Sequence, residues 1–168
     1  EIEYRRCSLP LEEDLDYIQD LLVKSEAEVV IIDSLGPASG GELEKSGPAI
    51  AFYNALRALI THRREPPTSL IVAHEAKNPE KKSIFGSVYF NNLARSVFQV
   101  RAQQRGSNII EQSLHHRKAN TLGLQNPIGL KFQWGQPDEM KLIVQRDETL
   151  AGLKERVTAL TQIVDVLG

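Results

Sequence analysis

The chain has 168 residues, of which 41% are hydrophobic, 25% charged and 6% aromatic, with a formal net charge of −2. That is the size and composition of one ordinary globular domain. No apolar run reaches the roughly 18 residues of a membrane-spanning helix, no basic–apolar–small leader opens the chain, and Cys7 is its single cysteine, which excludes an intrachain disulfide framework and a cysteine-based zinc site. A cytoplasmic setting with no membrane partner is expected. The charge is unevenly spread. Residues 1–65 carry a net −6, residues 75–118 a net +5 and residues 119–168 a net −1. The middle third is therefore where a polyanion would be attracted.

In chain order, Glu3–Arg6 is a short candidate strand. Leu11, Leu15, Ile18 and Leu22 recur at helical spacing, with Pro10 tolerated at the start and Glu12, Glu13, Asp14 and Asp16 favoured there by the helix dipole. Val29–Ile32 is a continuous β-branched run, which predicts a strand buried on both faces of a parallel sheet. Residues 37–48 read as a loop. Phe52, Leu56, Leu59 and Ile60 mark a second helix, ended near Arg64 by Pro66 and Pro67. Leu70–Ala73 is a second buried-strand run. Helix, strand, helix, strand is the doubly wound α/β order, with function expected at the carboxyl ends of the strands, where Asp33 and His74 stand.

A polar stretch, Glu75–Ser83, follows and reads as a loop. Val88–Leu93 is a short helix, Val97–Val100 a third strand and Asn108–Lys118 a fourth. Apolar residues then alternate at Ile128, Leu130, Phe132 and Trp134, and again at Met140, Leu142 and Val144. This predicts an antiparallel hairpin turning at Gly135–Asp138, with Trp134 in its core. Leu150, Leu153, Val157, Leu160, Val164 and Leu167 form a heptad seam, so residues 148–168 are expected as a terminal helix beyond a core of residues 1–147.

Several residues carry candidate chemistry. A carboxylate at the tip of a buried strand needs a partner. For Asp33 that partner is either Mg²⁺ held through water, with Ser34 supporting the shell, or a backbone group it caps. His74 is either a contact to a γ-phosphate or a histidine satisfied at a strand end. Gly86–Ser87 suits a tight turn and a helix cap, and Arg95 is either a bidentate phosphate ligand or a surface ion-pair partner. His115–Asn120 gathers cations at a strand end. It is a poor zinc site, because adjacent histidines on a strand point to opposite faces, and a better phosphate patch.

Taken in order, these segments resemble one family. Val29–Asp33 resembles a Walker B strand, and Ala73–Lys77 looks like the strand-end histidine motif of RepA-type hexameric helicases. Gly86–Ser87 through Arg95 resembles that family's Gly-Ser-helix-Arg segment, and Lys118–Asn120 with Gly123 is similar to its late Lys-x-Asn…Gly segment. The family belongs to the RecA-like P-loop ATPases, and the match spans roughly residues 11–146.

The resemblance implies a RecA-like α/β fold with a mainly parallel central sheet flanked by helices, an antiparallel hairpin toward the carboxyl side and a terminal helix. It implies ATP and Mg²⁺ as cofactors, with Asp33 and Ser34 at the metal shell and His74 at the γ-phosphate. Arg95 would be an arginine finger on a neighbouring subunit's nucleotide, with Lys118 a second contact across that interface. The Glu75–Ser83 loop, through Lys77, Lys81 and Lys82, would face single-stranded DNA in the channel of a ring, expected as a hexamer. The implied activity is ATP hydrolysis coupled to DNA translocation or unwinding.

One departure is large. No Gly-x-x-x-x-Gly-Lys-[Ser/Thr] occurs in these residues, so the backbone cradle for the phosphates is not among them. The chain, opening on Glu1, is expected to be the carboxyl-side part of a longer ATPase, inactive by itself. The alternatives are a non-catalytic, ATPase-derived interaction module, and a RecA-like recombination mediator or regulatory ATPase.

Overall fold

The computed structural model describes residues 2–61, 65–75, 84–121, 123–135, 141–150 and 153. The chain divides into two compact units, residues 1–94 and 95–168.

In the first unit, residues 2–9 are exposed and without regular structure rather than a strand. Their Arg5–Glu3 pair is local and places no edge in a sheet. The first apolar stripe is helical, but the helix, α1, begins at Leu15 and runs to Ser25. Pro10 instead starts a turn, its carbonyl accepting from Glu13 and Asp14, and this turn buries Leu11 ahead of the helix. Strand β1 is Val29–Asp33. It leads into a short helix, α2, Leu35–Ser39, which overlaps the start of the segment 37–48 expected to be loop. Helix α3, Ser46–Thr61, starts two turns earlier than its apolar stripe suggests, with Pro48 in its first turn. Strand β2 is Thr68–Val72, and α4 is Val88–Leu93.

Strands β1 and β2 pair in parallel, Val29 opposite Thr68 and Asp33 opposite Val72. One face of this pair carries Val30, Ile32 and Ile71 onto a core built from Leu22, Phe52, Leu56, Leu59 and Phe90. The other face does not meet the expectation of burial on both sides: Ile31 is 62% exposed and Leu70 54%. Both parities of the run are apolar, yet helices cover only one.

The second unit is antiparallel. Strands β3, Ser96–Arg105, β4, Ile109–Ala119, β5, Ile128–Trp134, and β6, Leu142–Arg146, pair in that order. The β5–β6 hairpin is the expected one, closed by the Gly135 N–H donating to the Lys141 carbonyl at 2.8 Å. The third and fourth strands, however, form an antiparallel ladder with each other. The described residues thus hold one parallel pair in the first unit and a four-stranded antiparallel sheet in the second, and no mainly parallel central sheet is seen among them.

Alternation sorts the second sheet into two faces. Phe98, Val100, Leu114, Ile128, Leu130, Phe132, Leu142 and Val144 share one. Gln99, Arg101, Glu111, Ser113, His115 and Lys131 share the other. Trp134 stacks on Phe132 but is 41% exposed, so it lies at the margin of the apolar face rather than in a core. Gly129 sits where the Asp147 backbone crosses β5. The Asp147 N–H donates to the Gly129 carbonyl at 2.9 Å, and a Cβ on Gly129 would overlap the Asp147 carbonyl oxygen. Asp147 accepts from the Thr149 N–H at 2.8 Å and hydroxyl at 2.7 Å, which holds its carboxyl below the usual carboxylate range, and the buried Leu150 follows. The expected terminal helix otherwise lies outside the described residues, as do Met140 and the turn residues 136–138.

Tyr53 joins helix to helix in the first unit. Its hydroxyl donates to the Phe90 carbonyl at 2.8 Å, and its ring meets Phe52 edge-on. Burial pushes the phenol above its ordinary value of 10.0. A raised acid of this kind gives its full stability below the ordinary value and loses it as pH climbs through the raised one. Tyr53→Phe is expected to cost about 1 kcal/mol at neutral pH through the lost hydrogen bond. It should also flatten the alkaline decline in stability, read by urea unfolding at a series of pH values.

Candidate functional site

Two pairs of the sequence-predicted residues come together, one in each unit. The first pair lies at the carboxyl edge of the parallel strands. Asp33 closes β1 opposite Val72, and His74 follows Val72 by two residues, so an acid and an imidazole stand at the same end of adjacent strands. Both are exposed. The expectation of a desolvated carboxylate in need of a partner therefore fails: Asp33 reaches water, and the reason is that its strand end is open. The Asp33–Ser34 peptide bond is cis. Ser34 occupies the position ahead of α2, but its hydroxyl makes no capping bond to that helix.

Beyond His74 the backbone is pinned. The His74 carbonyl accepts from the Phe85 N–H at 2.8 Å, and Glu75 and Ile84 form an antiparallel bridge. The loop expected to face DNA thus springs from a closed neck beside the histidine. Lys77, Lys81 and Lys82 lie outside the described residues.

Gly86 and Ser87 set the next turn. Gly86 has φ 109°, and a Cβ there would lie 2.8 Å from the Leu43 carbonyl oxygen. That same carbonyl accepts from the Ser87 N–H at 2.7 Å, and the Ser87 hydroxyl caps α4 by accepting from the Tyr89 N–H at 3.3 Å. The glycine is needed for the turn and the serine for the cap, as their types suggested.

The second pair is Arg95 and Lys118. The Arg95 carbonyl accepts from the Asn120 N–H at 3.0 Å, Ser96 pairs with Ala119 and Val97 with Lys118. Both cations therefore sit at one end of the β3–β4 ladder, Arg95 exposed and Lys118 half-buried. A bulge between Val97 and Phe98 leaves Arg117 as the extra residue, and its Nε donates to the Gln99 side chain at 2.8 Å.

The adjacent histidines do point to opposite faces, and both are buried. His115 meets the Ser113 hydroxyl at 3.0 Å; His116 meets the Ser96 hydroxyl at 2.7 Å, accepts from the Gln125 N–H at 3.1 Å and stacks on Phe98. The expected phosphate patch over residues 115–120 therefore shrinks to Arg117 and Lys118. Sequence reading missed the Ser96–His116 contact because it joins positions 20 apart across a bulge.

Among the described residues no group of three or more His, Cys, Asp or Glu side chains is placed to hold a metal. Asp33 alone fits the kind of site in which one carboxylate, water and substrate phosphates share Mg²⁺, since that ion keeps several waters and takes few protein ligands. No helix of the described residues is long and apolar enough to cross a membrane.

No protein-family profile matches the chain, and no curated protein matches it significantly. Among solved structures it is similar to a KaiC-like protein from the hyperthermophilic archaeon Pyrococcus horikoshii OT3, at 20% identity and a TM-score of 0.46. The alignment covers 80% of this chain and 54% of that one, so the chain spans about half of its neighbour's length.

The close approach at Gly86 gives a direct check on the turn. Gly86→Ala is expected to destabilise the first unit by about 1–3 kcal/mol, because the new Cβ meets backbone in a left-handed conformation. Chemical denaturation measures this, with Gly123→Ala, outside any helix and with nothing within 4 Å of a new Cβ, as the control.

Proposed function

We propose that this chain belongs to a RecA-like ATPase, in which Asp33 holds the Mg²⁺ shell of a bound ATP with Ser34 beside it, and His74 contacts the γ-phosphate. The observation that carries this reading is the register of β1 and β2, which sets the acid and the imidazole at one rim of a parallel pair. Ligands of open α/β sheets bind at that rim. The order of the four motif segments supports the reading, and so does the bare apolar face around Ile31 and Leu70, which suits a strand pair that forms part of a larger layered sheet. No Gly-x-x-x-x-Gly-Lys-[Ser/Thr] lies in these 168 residues, so this reading requires the phosphate cradle and its lysine to be supplied from elsewhere.

Within this reading Arg95 is a finger that reaches a neighbouring subunit's nucleotide, and Lys118, at the same end of the ladder, is a second contact across the interface. Such a finger stabilises charge on the transferred phosphoryl group and makes hydrolysis depend on assembly, here a ring, proposed as a hexamer. Lys77, Lys81 and Lys82 supply the positive charge for single-stranded DNA, and the work coupled to hydrolysis is translocation or unwinding. Those residues have no aromatic neighbour between Glu75 and Ser83, so DNA would be held by charge rather than by stacking. The same absence favours, as a second reading, a regulatory ATPase that turns over without DNA.

The test uses the complete protein. Asp33→Ala and Arg95→Ala should each lower ATP turnover by about 10³-fold or more, with Arg95→Ala sparing nucleotide binding. Wild-type turnover in either variant overturns the assignment. Stimulation of turnover by single-stranded DNA, lost on changing Lys77, Lys81 and Lys82 to alanine and weakened steeply by salt, marks the helicase. Turnover indifferent to DNA marks the regulatory enzyme, and no turnover in the wild-type protein marks a non-catalytic module.

A further inference from the structure

We propose that His116 is a pH-operated clasp, fastening the connection between β4 and β5 to the sheet when neutral and releasing it when protonated. The clasp stands apart from the ATPase reading and uses none of its residues. The ring is buried, with only 7% of its surface exposed, and both of its nitrogens are engaged. The Gln125 backbone N–H donates to Nδ1 at 3.1 Å. A backbone N–H can only donate, so Nδ1 carries no proton, and the proton of the neutral ring sits on Nε2. It is given to the Ser96 hydroxyl oxygen, 2.7 Å away. This tautomer also means that the pair is no Ser–His nucleophile: Nε2 already holds a proton and cannot take one from the serine.

A second proton has only Nδ1 to occupy. There it faces the Gln125 N–H, donor against donor, and the hydrogen bond is lost. No carboxylate among the described residues of the sheet faces the ring, and the Phe98 face stacked on it leaves the lost bond to Gln125 unreplaced. On the ring's own face β3 presents Ser96, Phe98 and Val100, β4 presents Leu114 and Ala119, and β5 presents Ile128 and Leu130, none of them ionisable. Residues 123–127 are Gly, Leu, Gln, Asn and Pro, also without charge. Among the described residues of β3–β6 the charged member of this face is Arg146, on the far strand and paired with Glu148. The remaining charged groups of β3 and β4, Arg101, Arg105, Glu111, Arg117 and Lys118, sit with His115 on the opposite face or in the bulge, and Arg95 precedes the ladder. An imidazolium would gain no carboxylate and would lie beside two cations in sequence. Acid therefore opens the clasp at the Gln125 amide while the Phe98 stack remains.

Nitrogen-15 NMR of the whole chain between about pH 8 and pH 5, where imidazoles titrate, tests this. At pH 8 the His116 ring is expected to show a protonated Nε2 and a bare Nδ1, with a slowly exchanging Gln125 amide. On acidification, exchange at Gln125, corrected for its intrinsic pH dependence, should accelerate about tenfold, with the midpoint of the ring's own titration. His116→Asn, whose side-chain oxygen takes the place of Nδ1 and does not titrate, should keep Gln125 protected across the range. A ring carrying its proton on Nδ1 at pH 8 overturns the proposal. So does Gln125 protection that fails to follow the ring in the wild-type chain, or pH-dependent protection in the Asn variant.

Discussion

The packing of α3 beneath one face of a two-stranded parallel sheet is the constraint on which the first unit depends. Phe52, Leu56 and Leu59 belong to the buried cluster against which Val30, Ile32 and Ile71 pack, and Phe52 and Leu59 are almost wholly excluded from water. Burying such side chains stabilises by about 1.5–3 kcal/mol each. The gain is available in a single register, since a slip of one residue would turn Ile31 inward and Ile32 out. Register in turn decides which strand-end residues are neighbours. With Asp33 opposite Val72, the residues just past both strands lie at one rim, and a cluster remote from the chemistry thereby sets the spacing of the polar groups.

The two units solve the edge of a sheet differently. In the first, the chain leaves β2 through His74 and is caught at once by the Phe85 N–H and the Glu75–Ile84 bridge, then by the Gly86 turn against Leu43. These bonds satisfy backbone groups that a strand end would otherwise leave open. In the second, the bulge at Arg117 turns the end of β4 so that Arg117 and Lys118 share the face of Gln99 while Ala119 returns to the face of Ser96. With His116 opposite Phe98, the extra residue puts Lys118 opposite Val97, on the face of Gln99, rather than opposite Ser96. The bulge thus determines the cation pair at the ladder's end, whereas the Ser96–His116 hydrogen bond follows from the alternation of β3 and the Phe98–His116 pairing.

Much of this was legible in the sequence. The stripe through Leu15, Ile18 and Leu22, the strand runs ending at Asp33 and near His74, the α4 turn and the hairpin all follow from periodicity and turn chemistry. What periodicity could not reveal were matters of partnership. Val97–Val100 is apolar enough for either kind of sheet, and only the pairing of Phe98 with His116 makes it antiparallel. Val29–Ile32 reads as buried on two faces because composition records what a strand is suited to, not which neighbours cover it. The strand-end positions of Asp33 and Arg95 follow from element boundaries, whereas the Gln125–His116 bond needed a tertiary return of the chain that no local pattern encodes.

That return also explains why two neighbouring histidines of identical type came to different ends. Both are buried on β4 and both meet a serine, but Ser113 lies two residues away on the same strand, so the His115 contact needs only an extended backbone. The His116 contacts need the β3–β4 pairing, which brings Ser96, and the loop through Gln125 both in place. A hydrogen bond built from local geometry survives most distortions of a sheet. One assembled from separate segments depends on the placement of each, here the start of β3, the end of β4 and the loop through Gln125.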